Sequence, residues 1–323
     1  MAKPPASARK RSVQQANRRD EVTGTDFVGH EWDGIEELNT PLPRWWLWAL
    51  YISIAWGVVY VILYPAWPML NSATSGTLGW TSRGQLSAEM DREAARRAPM
   101  VRALAAVDLN ALPANRELMQ FAIAGGAAAF RANCVQCHGS GATGSPGYAN
   151  LRDDDWLWGG DMNAIHFTIT NGIRNPDHPQ TRMSLMPAFG RDGILTGQQI
   201  DDVVSHVRVI SGQERASAAS ARGAVIFAEN CAVCHGPTGE GMRSVGAPRL
   251  TDRIWLYGGD RATLTTSVAN ARRAVMPAWG GRLDPVTINM LTAYVHSLGG
   301  GEAAPAPSET GAQPAAPTVP ATP

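Results

Sequence analysis

The chain lacks any excess of charge. Twenty-eight lysines and arginines face 28 acids, for a formal net charge of zero. That balance removes the electrostatic footprint of a general nucleic-acid partner, and no dense patch of one sign marks a docking face. Cysteine is scarce too, at four in 323 residues. These lie in two pairs three residues apart, a poor geometry for structural disulfides. Long apolar runs are confined to one uncharged stretch of twenty residues, Trp45 to Tyr64.

The four cysteines form one pattern twice: Cys134-Val135-Gln136-Cys137-His138 and Cys231-Ala232-Val233-Cys234-His235. C-x-x-C-H is the attachment sequence for c-type haem. Two intervening residues set the thiols one helical turn apart, matching the two vinyl groups of a porphyrin, and the adjacent imidazole meets the iron. A zinc ribbon is excluded because 93 residues separate the pairs, against a usual spacing of about 15–20. No βαβ pattern accompanies either pair, as a thioredoxin-like motif requires.

Candidates for the second axial ligand recur as well. Met186-Pro187-Ala188-Phe189-Gly190 follows the first motif and Met276-Pro277-Ala278-Trp279-Gly280 the second. Proline holds each methionine extended, as a loop crossing a haem face requires. A thioether opposite the histidine raises the potential, which suits electron transfer. Met183 is a rival to Met186 without a counterpart before Met276. His166 and His178 are rivals as well, but the second repeat has no histidine between His235 and His296.

Around these motifs the sequence repeats. Gly126, Phe130 and Cys134 recur as Gly223, Phe227 and Cys231, one helical stripe of spacing four. Asp155–Asp161 echoes in Ile254–Asp260. Apolar helices marked by Ile200, Val203, Val204, Val207 and Ile210, and by Ile288, Leu291, Val295 and Leu298, close the two repeats. The repeat shift falls from 97 positions at the cysteines to 90 at the methionines, so the first repeat holds extra loop near Asn175 to Met183. Trp156, Trp255 and Arg174 are candidates for contacts with haem or its propionates.

The expected architecture is mainly α: one N-terminal transmembrane helix followed by two tandem class I cytochrome c-like all-α haem domains. The boundaries are 1–42 for a polar cytoplasmic segment, 43–70 for the membrane helix and 71–118 for a periplasmic connector. Haem domains follow at 119–212 and 213–300, then a Pro/Ala-rich tail at 301–323 expected to be disordered. Twenty apolar residues match about 30 Å of hydrocarbon. Trp45, Trp46 and Trp48 at one end and Tyr60, Tyr64 and Trp67 at the other read as interfacial belts. The segment starts late and has no small-residue cleavage site, unlike a signal peptide. The first nineteen residues carry Lys3, Arg9, Lys10, Arg11, Arg18 and Arg19 with no acid, a distant basic cluster that favours an inside N-terminus.

Three features together narrow the choice: Glu31–Trp46 (EWDGIEELNTPLPRWW), Tyr64–Pro68 (YPAWP), and two haem repeats with M-P-A-[FW]-G. The chain resembles subunit III of cbb3-type cytochrome c oxidase, a membrane-anchored dihaem cytochrome c, in its single-anchor form. That resemblance implies two covalent haem c groups on the outer side of a bacterial inner membrane. It implies one haem on Cys134 and Cys137 with axial His138 and Met186, and another on Cys231 and Cys234 with axial His235 and Met276. It implies no catalytic centre in the chain itself. The implied partners are a donor cytochrome c, a monohaem cytochrome c subunit and the catalytic haem-copper subunit, which reduces oxygen and pumps protons. Other readings are a dihaem peroxidase, the cytochrome subunit of a dehydrogenase or nitric oxide reductase, and a gas sensor. Full axial ligation disfavours the first and last, and the Glu31–Trp46 stretch disfavours the middle one.

Overall fold

The computed structural model of the protein describes residues 18–303. The basic residues before Arg18 and the tail from 304 onward lie outside them. Two compact units divide the chain, residues 1–95 and 96–323.

In the first unit an antiparallel hairpin precedes the apolar run. Strands β1 (Phe27–Trp32) and β2 (Ile35–Leu38) pair through Trp32 and Ile35. Asp33 and Gly34 turn the chain at φ 50° and 84°. An Asp-Gly turn with both φ values positive matches the twist of the two strands. The polar segment thus holds a hairpin directly ahead of the apolar run. Helix α1 (Arg44–Leu63) starts behind Pro43 and buries no residue. It is long and apolar enough to cross a membrane.

Helix α2 (Ser82–Ala106) follows, and its final turn buries Leu104 with Leu112, Leu118, Ala122 and Ala293. Asn289 donates its side-chain amide to the Leu104 carbonyl at 3.2 Å, a bond within the second unit.

That unit is helical: α3 (Arg116–Asn133), α4 (Val135–His138), α5 (Met162–Asn171), α6 (Gly197–Ile210), α7 (Ala218–Asn230), α8 (Ala232–His235), α9 (Arg261–Asn270) and α10 (Pro285–His296). The closing helices exist where the apolar pattern puts them, but they pack on the opposite repeat. Helix α6 lies on α7 and α9, and α10 lies on α3 and α5. One core joins Phe130, Ile165 and Ile169 of the first repeat to Ile288, Leu291 and Val295 of the second. The other joins Phe189, Ile200, Val203, Val204 and Val207 of the first to Phe227 and Leu264 of the second.

The two repeats, 119–212 and 213–300, thus exchange their closing helices. The connection explains it. Only residues 211–217 link α6 to α7, and helices joined by a short loop become antiparallel neighbours. Once α6 covers α7, helix α3 is left for α10. Both crossings pass over a glycine: a Cβ at Gly126 would overlap the Met290 carbonyl, and one at Gly223 the Asp202 carbonyl. Phe130 and Phe227 lie one turn on, each about 1% exposed, against the Tyr294 and His206 rings at 5.3 and 5.2 Å.

The first residues of the C-terminal segment, 301–303, are held to the haem-motif unit; the remainder lies outside the described residues. Glu302 accepts the Gly160 N–H at 2.7 Å and pairs with Arg243, and its own N–H reaches the Gly160 carbonyl.

Candidate haem sites

Each C-x-x-C-H forms a single helical turn at the end of a longer helix. Cys134 and Cys231 cap α3 and α7, and their N–H groups reach the Phe130 and Phe227 carbonyls at 2.8 Å. His138 and His235 then end α4 and α8, and Gly139 and Gly236 reverse the chain at φ 75° and 78°. The returning loop orients each imidazole. His138 Nδ1 lies 2.9 Å from the Ala149 carbonyl, and His235 Nδ1 lies 2.9 Å from the Pro248 carbonyl. A carbonyl can only accept, so Nδ1 carries the proton and the Nε2 lone pair is left for a metal. Burial lowers the pKa of both imidazoles, against the smaller upward pull of the carbonyl contacts. Burial also pushes the Cys134 and Cys231 thiols up to about 11, which disfavours a thiolate role.

The methionine loops cross over as the helices do. Met186 lines one cavity of about 250 Å³ together with Cys231, Cys234, His235 and Trp255. Its apolar wall includes Val203, Val204, Phe227, Leu250 and Leu264. Met276 packs on the core that holds Cys134, Phe130 and Trp156. The expectation paired Met186 with the first motif and Met276 with the second; the fold brings together the opposite pairs.

Backbone bonds fix this crossing twice over. Phe189 and Gly190 donate to the Val268 and Ala269 carbonyls at 3.1 Å each, while Trp279 and Gly280 donate to Ile169 and Thr170 at 3.1 and 3.0 Å. The repeated shape of M-P-A-aromatic-G has a local reason here. The aromatic enters the opposite core, and the glycine passes a neighbouring helix end: a Cβ at Gly190 would stand 3.0 Å from the Ala269 Cβ. Met276 also pairs backbone to backbone with Ile173, at 3.0 Å in both directions.

Met183 is 58% exposed and does not line the cavity with Met186. Neither His166 nor His178 lines it. Arg174 does, with Nε donating to the Ala274 carbonyl at 2.6 Å. Trp156 Nε1 donates to the Gly300 carbonyl at 2.6 Å, whereas the buried Trp255 Nε1 has no partner. Sequence reasoning missed the carbonyls of Ala149 and Pro248, which carry no side-chain signal. It also missed Arg249, Arg272 and Arg273 at the cavity, legible only once the repeats are aligned around their helices.

The donor set fits haem c: paired thiols, a neutral imidazole with a free Nε2, a thioether and apolar walls. Two such sets, behind a helix able to cross a membrane, define a tandem cytochrome c protein with an N-terminal anchor.

Comparison with known proteins agrees. Residues 24–71 match the N-terminal domain of cytochrome oxidase-cbb3, FixP; residues 123–211 match cytochrome c; and residues 218–295 match cytochrome c oxidase, cbb3-type, subunit III. The chain is 55% identical over 275 residues to the cbb3-type cytochrome c oxidase subunit CcoP of Cereibacter sphaeroides, covering 85% of this chain and 95% of that one. It is 49% identical to the FixP subunit of a Bradyrhizobium species, covering 88% and 98%. It is 45% identical to the CcoP subunit of an Azospirillum species, covering 88% and 99%. The chain belongs to the family of CcoP/FixP subunits of cbb3-type cytochrome c oxidases.

Proposed function

We propose that this chain is the electron-input arm of a cbb3-type terminal oxidase, receiving electrons from a donor cytochrome c and passing them toward the catalytic haem-copper subunit. That subunit would reduce oxygen and pump protons, and a monohaem cytochrome c subunit would stand beside it. The N-terminus lies in the cytoplasm, α1 crosses the inner membrane, and both haem sites face the periplasm. The single observation carrying this reading is that a C-x-x-C-H histidine and an M-P-A methionine meet at one cavity, as at His235 and Met186.

Haem c supplies a one-electron iron couple when bound. Cys134 and Cys137 would hold the first group, with His138 and Met276 as axial ligands; Cys231 and Cys234 would hold the second, with His235 and Met186. The Ala149 and Pro248 carbonyls keep each imidazole turned toward its cavity. A histidine and a methionine both bound to the iron would leave no position for oxygen or peroxide, and the chain would then transfer electrons without bond chemistry of its own. Apolar walls exclude water, which disfavours the more highly charged ferric state and raises the potential.

The test is purification of the intact complex from native membranes through a C-terminal tag, followed by reduced-minus-oxidised spectra with and without carbon monoxide. Haem c accompanied by haem b, a carbon-monoxide-sensitive species and oxygen uptake is the expected result. Haem c alone, with no oxygen uptake, rejects the oxidase assignment.

A further inference from the structure

The second site is rich in guanidinium groups. The second cavity is lined by Arg174, Arg249, Arg272 and Arg273, and no carboxylate stands among its lining residues. Helices α5 and α9 follow matching Gly-Gly-Asp turns, so counterparts in the first repeat can be read directly. Asn150 stands for Arg249, and Ile173 for Arg272. Arg174 stands for Arg273, yet it reaches the second cavity too, held by the Ala274 and Ser184 carbonyls at 2.6 and 3.4 Å. Both members of that related pair therefore serve one site.

Ferric haem carries one more positive charge than ferrous haem. Cations around a poorly polarisable cavity therefore oppose oxidation, and carboxylates favour it. Four guanidinium groups outnumber the two propionates of a haem, so the second cavity stays positive after they are neutralised. We propose that the haem on Cys231 and Cys234 has the higher potential of the two, that Arg249 and Arg272 set the difference, and that an electron entering this chain settles there. The proposal rests on the reading that both motifs carry haem c.

Arg249 and Arg272 are solvent-exposed, and the Arg272 guanidinium lies 5.0 Å from the centre of the Tyr257 ring. Replacement by glutamine removes charge without opening a core. The experiment is a spectroelectrochemical titration of the full-length chain in its complex, resolving two haem c waves, for the wild type and for the double variants R249Q/R272Q and R249K/R272K. The glutamine variant should move the upper wave to lower potential and leave the lower wave in place. The lysine variant should keep the upper wave near its wild-type position. Movement of the lower wave alone, no movement of either, or an equal shift with lysine would each overturn the proposal. Haem content per chain, measured on the same samples, checks the underlying reading separately: one haem per chain would reject dihaem loading, not the charge argument.

Discussion

Trp279 donates its backbone N–H to the Ile169 carbonyl at 3.1 Å, joining the end of one repeat to the middle of the other across 110 positions of sequence. Phe189 makes the matching bond to Val268 at 3.1 Å. Through these two contacts the Met186 loop reaches the cavity of His235 and the Met276 loop reaches the core beside Cys134. With the ligands proposed above, neither repeat alone would hold a complete set, and the two haem sites would depend on each other.

Crossed ligation predicts which methionine serves which haem. In a chain with Cys134→Ser and Cys137→Ser, only the second motif is loaded. There, Met186→Ala should abolish the far-red methionine-to-iron band of the ferric state, and Met276→Ala should leave it. The reverse result would restore ligation within each repeat. In the fully loaded chain, Met276→His should lower the potential of the first haem and slow oxygen uptake.

The glycine crossings predict sensitivity to a single methyl group. At Gly126 a Cβ meets the Met290 carbonyl and Tyr294, all on closely packed helices. Gly126→Ala should cost about 1–3 kcal/mol through overpacking, lowering the melting temperature by several degrees. Gly197 opens α6 with nothing within 4 Å of a Cβ. Gly197→Ala should leave stability unchanged or slightly raised, so equal melting temperatures for the two variants would contradict the close crossing.

Much of this arrangement is visible in the sequence, and the exchange is the part that is not. Cysteine spacing marks the attachment turns, and the stripe Gly126–Phe130–Cys134 marks the helices that carry them. The apolar residues of α6 and α10 mark closing helices. None of these patterns says which copy a closing helix covers, because Val203 and Leu291 satisfy either partner equally. Only the seven-residue link after Ile210 bears on that choice, and its effect appears once the helices are built. The Asp33-Gly34 turn between Trp32 and Ile35 was a readable hairpin signal hidden within a polar segment. The carbonyls of Ala149 and Pro248 act through backbone and leave no residue-type signature.

Glu302 predicts that the chain beyond α10 contributes to stability. Its carboxylate accepts the Gly160 N–H and pairs with Arg243, while its own carbonyl meets His296 Nε2 at 2.9 Å. Arg243 is 57% exposed, so the ion pair itself adds little. Loss of the charged bond to the Gly160 N–H is the larger effect. Glu302→Ala should cost about 1–2 kcal/mol, and Glu302→Gln less, because an amide oxygen still accepts from Gly160. Chemical denaturation of the two variants separates the outcomes, and no loss in either would remove the strap from the account.

Asp202 and Arg222 predict a pH dependence confined to the second core. Asp202 is 3% exposed and accepts both Arg222 Nε and Nη2 at 2.7 Å, with Gln198 adding a third bond at 3.2 Å. The hydrogen bond from Arg222, more than burial opposes it, holds the carboxyl below the ordinary carboxylate range. A carboxylate whose pKa is lowered by folding stabilises the fold above its unfolded value of about 3.9. That contribution disappears as pH falls through the lower native value. The wild type should therefore lose stability steeply on acidification below about pH 4, where unfolded Asp binds protons that the native one refuses. Asp202→Asn should be less stable at pH 7 and should show a shallower acid limb. Melting temperatures of both chains from pH 7 to pH 3 decide it: parallel curves would mean that the buried carboxylate contributes nothing through its charge.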